Sequence, residues 1–190
     1  MRIHDDRYQR DQLRHDVALA FIRHEARTHT IRIWTGLTDD RIRKLYRSYI
    51  MSTTGGGPVR HRGKSPQQPA FFTRSARARQ ESSVLASIYR NVGILPKSTT
   101  PESVRSLTGP ARGRLLCQAY EIYRGEFSSP LINFERAEFL LRALWRRDEI
   151  ALGACRECTA LLVTDRWCMR APSCGVCSSE PGQFSADKLE

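Results

Sequence analysis

The sequence predicts a mainly α-helical protein with a helix-turn-helix-like N-terminal part and a small C-terminal zinc module. Apolar residues recur at helical spacing over most of the first 150 residues. Two CxxC pairs, Cys155–Cys158 and Cys174–Cys177, follow with fifteen residues between them. The formal net charge is +11 with a pI near 9.9. Such an excess of positive charge favours a polyanionic partner, either nucleic acid or an anionic membrane.

The N-terminal part begins with two predicted helices. The first spans about residues 11–27, because its apolar residues repeat at i, i+4, i+7 and i+8. These residues, together with His24 at i+11, are Leu13, Val17, Ala20 and Phe21. A second, short helix around Ile31 and Trp34 is predicted to end at Gly36, which permits a tight turn.

A third helix is predicted from Asp39 to about Ile50. Thr38 is the expected N-cap, and Asp39 and Asp40 fall in the first turn, where the helix dipole favours acids. The residues predicted to face inward are Ile42, Leu45, Tyr46 and Tyr49. The basic residues predicted to face outward, and to contact DNA, are Arg41, Arg43, Lys44 and Arg47. This layout is that of a helix-turn-helix, although an αα-corner with a solvated basic face fits it equally well.

A basic loop over residues 51–72 follows. From Arg41 to Gln80 there are ten Lys or Arg residues, one His, and no Asp or Glu, whereas ordinary surfaces mix both signs. The loop is predicted to carry a flexible cationic arm that follows phosphates or enters a minor groove, with contacts from Arg60, Arg62 and Lys64. Phe71 and Phe72 are expected to anchor the loop to the core rather than stack on bases. The loop has no amphipathic helix for a membrane surface, so nucleic acid is preferred.

Three longer helices are predicted beyond this loop, at about residues 74–92, 111–125 and 131–147. Gly93 is the expected C′ residue of the first of these helices, and a short helix starting near Thr100 is cut off at Gly109-Pro110. Glu135 and Glu138 are expected to be surface acids among arginines rather than a general acid/base pair. No triad or carboxylate cluster stands out, so no enzymatic activity is expected.

The four cysteines of the CxxC pairs are the predicted ligands of one structural zinc ion: Cys155, Cys158, Cys174 and Cys177. Four thiolates close the coordination sphere and leave no position for a catalytic water. Cys168 is interpreted as a core or spare thiol and Cys117 as a packing residue. Leu161, Val163 and Trp167 indicate a small hairpin behind the metal.

These elements predict a domain organisation. Residues 1–11 form a polar extension, 12–150 a helical DNA-binding and assembly domain, 151–178 the zinc module, and 179–190 a disordered tail. No apolar run is long enough to span a bilayer, and the N-terminus lacks the apolar core of a signal peptide. A cytoplasmic protein is therefore expected, in which paired CxxC motifs bind metal rather than form disulfides.

Several of these segments, in this order, resemble the FlhC-type flagellar transcriptional activators of proteobacteria. The resemblance covers roughly residues 12–178. It rests on Ala26-Arg27, Leu37-Thr38, Arg41-Ile42, Lys44-Leu45-Tyr46-Arg47, Gly63-Lys64-Ser65-Pro66, Phe71-Phe72, and the helix from Leu140 to Leu152 that leads into the four cysteines. The chain departs from the family pattern at Gln67-Gln68, at the extension Met1–Arg10, and at the extra Cys168.

The resemblance implies a helical subunit with one four-cysteine zinc site. Such a subunit assembles with an FlhD-type partner into a hetero-oligomer that binds promoter DNA. It implies activation of transcription by σ70 RNA polymerase, chiefly at flagellar genes, and no catalysis. The charge and the cysteine pairs also fit an RNA-binding or ribosome-associated zinc protein. A zinc-stabilised nucleic-acid enzyme is disfavoured, because no carboxylate cluster for Mg²⁺ is visible.

Overall fold

The computed structural model describes residues 2–52, 61, 63, 65–96, 108–147, 149–169 and 171–178. Its helices are α1 (Arg2–Arg23), α2 (Thr28–Thr35), α3 (Asp39–Ser52), α4 (Ala76–Asn91), α5 (Pro110–Glu126), α6 (Phe134–Arg146) and α7 (Gly175–Ser178). A short 3₁₀ helix spans Pro69–Phe72, and two strands form one antiparallel hairpin, β1 (Ile150–Ala154) and β2 (Leu161–Asp165). The prediction of a mainly helical protein is confirmed.

The bounds of α1 differ most from the predicted ones. The helix begins at Arg2 rather than near residue 11, and it ends at Arg23 rather than at 27. Residues 7–10 are exposed, so no apolar periodicity marks this first part of the helix. At the other end the chain reverses at Glu25, whose φ is +59°, and the N–H of Ala26 donates to the carbonyl of Phe21 at 2.9 Å.

Helix α2 ends at Thr35, before Gly36 as predicted, and α3 begins at the predicted Asp39 but ends at Ser52 rather than near Ile50. Gly36 takes the left-handed conformation, with φ +69°, and its N–H donates to the Arg32 carbonyl at 2.8 Å. Ile42 and Tyr46 are buried as predicted. The Tyr46 hydroxyl donates to the Ala26 carbonyl at 2.6 Å and so ties α3 to the end of α1.

The aromatic centre of the core lies where α1, α2, α5 and α6 meet. The rings of Phe21 and Phe134 pack edge to face with centroids 4.9 Å apart, and Trp34 is fully buried beside them. Gly113 allows α5 to approach α1 closely, because a Cβ at this position would lie 2.8 Å from Val17 Cγ1. A larger residue would therefore force the two helices apart.

Helix α4 packs against both α6 and the hairpin. The Tyr89 hydroxyl donates to the Ala137 carbonyl of α6 at 2.8 Å, and the Val163 N–H of β2 donates to Ser83 Oγ at 2.9 Å. Gly93 follows α4 with φ +79°, as expected of a C′ residue. The hairpin is therefore packed onto the helical core, where Val163 is completely buried.

Some predictions are wrong or lie outside the described residues. Trp167 is 75% exposed and does not pack behind the cysteines, because the chain leaves β2 at Asp165 and turns outward. The predicted helix start at Thr100 and the tail 179–190 fall outside the described part of the chain. Among the helices that the structure describes, none is long and apolar enough to cross a bilayer.

Candidate metal centre and cationic surface

The four predicted zinc ligands form one cluster. The Sγ atoms of Cys155, Cys158, Cys174 and Cys177 all lie within 4.8 Å of one another. Cys155 follows β1 at the buried base of the cluster, whereas Cys158 is exposed. Cys174 lies immediately before α7, and Cys177 lies on it. The hairpin and the α7 turn thus bring together two cysteine pairs that are distant in sequence.

Backbone hydrogen bonds hold this cluster in place. The N–H of Arg156 donates to the Pro172 carbonyl at 3.0 Å, which joins the first cysteine pair to the segment before the second. The Cys174 N–H donates to Cys155 Sγ at 3.3 Å, and the Cys177 N–H donates to Cys174 Sγ at 3.3 Å. Such N–H donors to sulfur orient thiolate ligands around a metal.

The pKa values of two thiols in the cluster are shifted by their neighbours, in opposite directions. Backbone N–H groups, of Cys158 first and then of Cys174, lower the pKa of the Cys155 thiol to about 6. The sulfurs of Cys174 and Cys158 raise the pKa of the Cys177 thiol to about 12. Four thiolates at this separation repel one another, and a divalent cation among them removes that cost.

The separation of Cys158 Sγ and Cys174 Sγ matches a tetrahedral metal site and not a disulfide. Cys158 Sγ lies 3.7 Å from Cys174 Sγ. Four sulfurs around a zinc ion with Zn–S bonds of about 2.3 Å would be about 3.8 Å apart. A disulfide requires about 2.05 Å. The four cysteines are therefore close enough, and of the right chemistry, to hold one structural metal ion.

The other two cysteines lie outside this cluster. Cys117 is buried on α5, and burial, with a contribution from Glu121, raises the pKa of its thiol to about 12. This agrees with the predicted packing role. Cys168 is exposed, so it is not a core residue, and it does not belong to the group of four ligands.

The basic residues predicted to contact DNA from α3 all project into solvent. Arg41, Arg43, Lys44 and Arg47 are exposed, while the opposite face of α3 is buried. Arg43 forms an ion pair with Asp40 at 2.9 Å, so its charge is partly compensated. Arg41, Lys44 and Arg47 recur every third residue and therefore follow one side of the helix.

The basic arm is held to the helical body at two described positions. Arg60, Arg62 and Lys64 lie outside the described residues. Between them, His61 Nε2 lies 2.9 Å from Glu25 Oε2 in the turn after α1. Ser65 donates its hydroxyl to Glu135 Oε2 at 2.7 Å. These contacts fasten His61 and Ser65 to the helical body. The predicted phosphate contacts of the arm fall on residues outside the described part of the chain.

Glu135 and Glu138 are not surface acids as predicted, because both are buried in the contact between α6 and α2. Glu135 accepts hydrogen bonds from the Arg27 N–H at 2.7 Å and from Thr30 Oγ1 at 3.1 Å. Glu138 accepts from Trp34 Nε1 at 3.0 Å and pairs with Arg142 Nε at 2.8 Å. Their position on the apolar side of α6, beside Phe134, Ala137 and Leu141, is the sequence signal that could have revealed this burial.

A third buried carboxylate, Glu81, was not anticipated. It accepts hydrogen bonds from the Tyr123 hydroxyl and from the Leu131 N–H, and it pairs with Arg77. Burial would raise the pKa of Glu81, but these donors outweigh it and the pKa lies below its usual value. The donors hold the segment after α5 against α4, so Glu81 has a structural role.

Comparison with known proteins adds no family assignment. No protein-family model matches the chain, and no curated protein matches it. The class that the fold and the site define is thus a mainly helical, strongly basic protein with four cysteines close enough to hold a metal ion.

Proposed function

We propose that this chain is the DNA-binding subunit of a transcription activator, of the FlhC type that its sequence resembles. In this proposal it assembles with an FlhD-type subunit, binds promoter DNA, and activates σ70 RNA polymerase at flagellar genes. The observation that carries the DNA-binding part is the exposed cationic side of α3, on a helix whose other side is fixed by burial. No acidic residue occurs from Arg41 to Gln80.

Helix α3 suits this role because its orientation is fixed by the core. Ile42 is fully buried, and the Tyr46 hydroxyl is bonded to the Ala26 carbonyl. A helix held in this way can present Arg41, Lys44 and Arg47 to phosphates without ordering a mobile segment first, which lowers the entropy cost of binding. Reading of base edges in the major groove would come from the same helix.

The metal has a structural part in this proposal. We assign it as one zinc ion, because four thiolates in a closed tetrahedron favour zinc over the oxygen-preferring ions. Cys155 follows β1, which packs through the hairpin against α4. The metal would therefore fasten the chain beyond β2 to the helical body, and it contributes no catalysis. The buried carboxylates Glu81, Glu135 and Glu138 serve internal hydrogen bonds.

Binding to duplex DNA and to structured RNA at equal salt would test this proposal. Helix α3 can enter the wide major groove of B-DNA, whereas the deep, narrow major groove of A-form RNA does not admit side chains. We expect a higher affinity for a promoter duplex than for an RNA hairpin of equal length and charge, measured by fluorescence anisotropy. A preference for the RNA hairpin would instead support the RNA-binding alternative.

A further inference from the structure

A cationic groove runs along α6, far in sequence from the cationic side of α3. One half lies between the loop Ser65–Gln68 and the side chains of Phe71, Arg74 and Arg136, and has a volume of about 360 Å³. The other half, of about 230 Å³, extends past Arg146. Both halves share Gln67 and Phe139 in their walls, so the two depressions are adjacent and are together called the α6 groove.

Two of its arginines are held in place by an aromatic ring. The guanidinium carbon of Arg136 lies 4.1 Å from the centroid of Phe71, and that of Arg74 lies 4.5 Å from it. Phe71 is only 6% exposed, so the ring is a fixed platform. The planar fork of a guanidinium matches the oxygens of a phosphate.

Cations outnumber carboxylates in the lining of the groove. Arg142 is paired with the buried Glu138, and Glu149 lines the same half of the groove as Arg146. Among the described residues, no carboxylate forms an ion pair with Arg74, Arg136 or Arg146. Arg136 and Arg146 are ten residues apart on one helix, which corresponds to about 15 Å along its axis.

We propose that the α6 groove binds the phosphodiester backbone of duplex DNA. The bound stretch of DNA would adjoin the stretch that the basic arm contacts. The proposal rests on the proposed function, because it extends the same ligand onto a second surface. Ser65–Gln68, which form one wall of the groove, directly follow the arm residues Arg60, Arg62 and Lys64 in sequence. The exposed amides of Gln67 and Gln68 add neutral donors of the kind that contact phosphates.

The double variant Arg74→Ala/Arg146→Ala tests this groove, with Arg7→Ala/Arg114→Ala as a control of equal net charge. Arg7 and Arg114 are exposed and lie outside the groove. The affinity for a duplex is measured at several salt concentrations, and thermal unfolding checks that both variants fold. Each lost phosphate contact lowers the salt slope by about 0.9, so the groove variant is expected to lose about 1.8 relative to the control.

The outcomes separate this proposal from the proposed function. Equal slopes for the groove variant and its control would overturn the α6 groove as a phosphate site and would favour another anionic partner there, such as an acidic protein segment. If charge removal on α3 lowers the slope while the groove variant does not, the proposed function stands alone. If the groove variant alone lowers the slope, the groove stands and the role of α3 falls. Failure of the unaltered protein to bind duplex overturns both.

Discussion

Glu135 shows how a single buried carboxylate joins three parts of this molecule. It lies in the first turn of α6 and accepts hydrogen bonds from Arg27, Thr30 and Ser65. Those donors belong to the start of α2 and to the basic loop. A carboxylate with this many donors can be buried at an acceptable cost. Glu135 therefore fastens the start of α2 and the Ser65 end of the basic loop to α6.

The pKa of Glu138 is shifted in the opposite direction to the pKa of Glu81. Burial, with a smaller contribution from Glu135, raises the pKa of Glu138 above its usual value, although Arg142 and the Trp34 N–H oppose the shift. The folded state therefore holds this proton to a higher pH than the unfolded chain does. Ionisation of Glu138 consequently costs stability as the pH rises from about 4.5 through the raised pKa.

The variant Glu138→Gln is predicted to remove that loss. The amide oxygen can still accept from Trp34 Nε1 but cannot ionise. The free energy of unfolding of the variant, minus that of the unaltered protein, should therefore increase with pH above 4.5 and level off beyond the raised pKa. Urea unfolding across this pH range measures the difference, and Glu126→Gln, at an exposed site on α5, is the control. A difference that stays flat or decreases with pH would contradict the assignment.

Among the elements, the hairpin packs on the core, whereas the cysteine turns beside it meet mainly at the sulfur cluster. The strands are held by the core through Ile150 and Val163. The two cysteine turns have mostly exposed or half-buried residues, so the sulfur cluster must hold them. Metal binding by four thiolates contributes about 10–16 kcal/mol in zinc-finger peptides, which is ample for this purpose.

The variant Cys174→Ser is predicted to lose the metal and to loosen the cysteine turns. Metal analysis should give about one zinc per unaltered chain, a retained zinc in the control Cys168→Ser, and almost none in Cys174→Ser. Because Arg156 is tied to Pro172 within the cluster, trypsin cleavage after Arg156 should become faster in Cys174→Ser. Metal retention in Cys174→Ser, or its loss in Cys168→Ser, would show that the ligand set is wrong.

The sequence predicted the elements that are determined by residues close together along the chain. Helices α4, α5 and α6 were anticipated within a few residues, because periodic apolar side chains face the core in each. The four-cysteine cluster followed from spacing alone. The first turns of α1 were missed because their mostly polar sequence has no such periodicity.

The remaining features depend on contacts between distant segments. Glu135 meets Ser65 across seventy residues of sequence, and Phe71 meets Arg136 across a similar distance. Helical periodicity cannot indicate which loop will cover a given helix face. The burial of Glu135 and Glu138 and the existence of the α6 groove therefore became visible only in the folded chain.

At the scale of the whole molecule, the arrangement of acids makes the surface more cationic than composition alone suggests. Three carboxylates are buried among donors, namely Glu81, Glu135 and Glu138. The exposed side of α3 and the α6 groove both present arginines to solvent. A net charge of +11 distributed in this way produces a field that attracts a polyanion and speeds its association.

The most direct test of the central claim is the salt dependence of duplex binding when the α3 charges are removed. The variant Arg41→Ala/Lys44→Ala/Arg47→Ala leaves Arg43 with its partner Asp40. Its control of equal charge is Arg7→Ala/Arg114→Ala/Arg124→Ala, at exposed positions on α1 and α5. Three lost phosphate contacts should lower the salt slope by about 2.7 relative to the control. Equal slopes for the two variants would contradict DNA binding by α3.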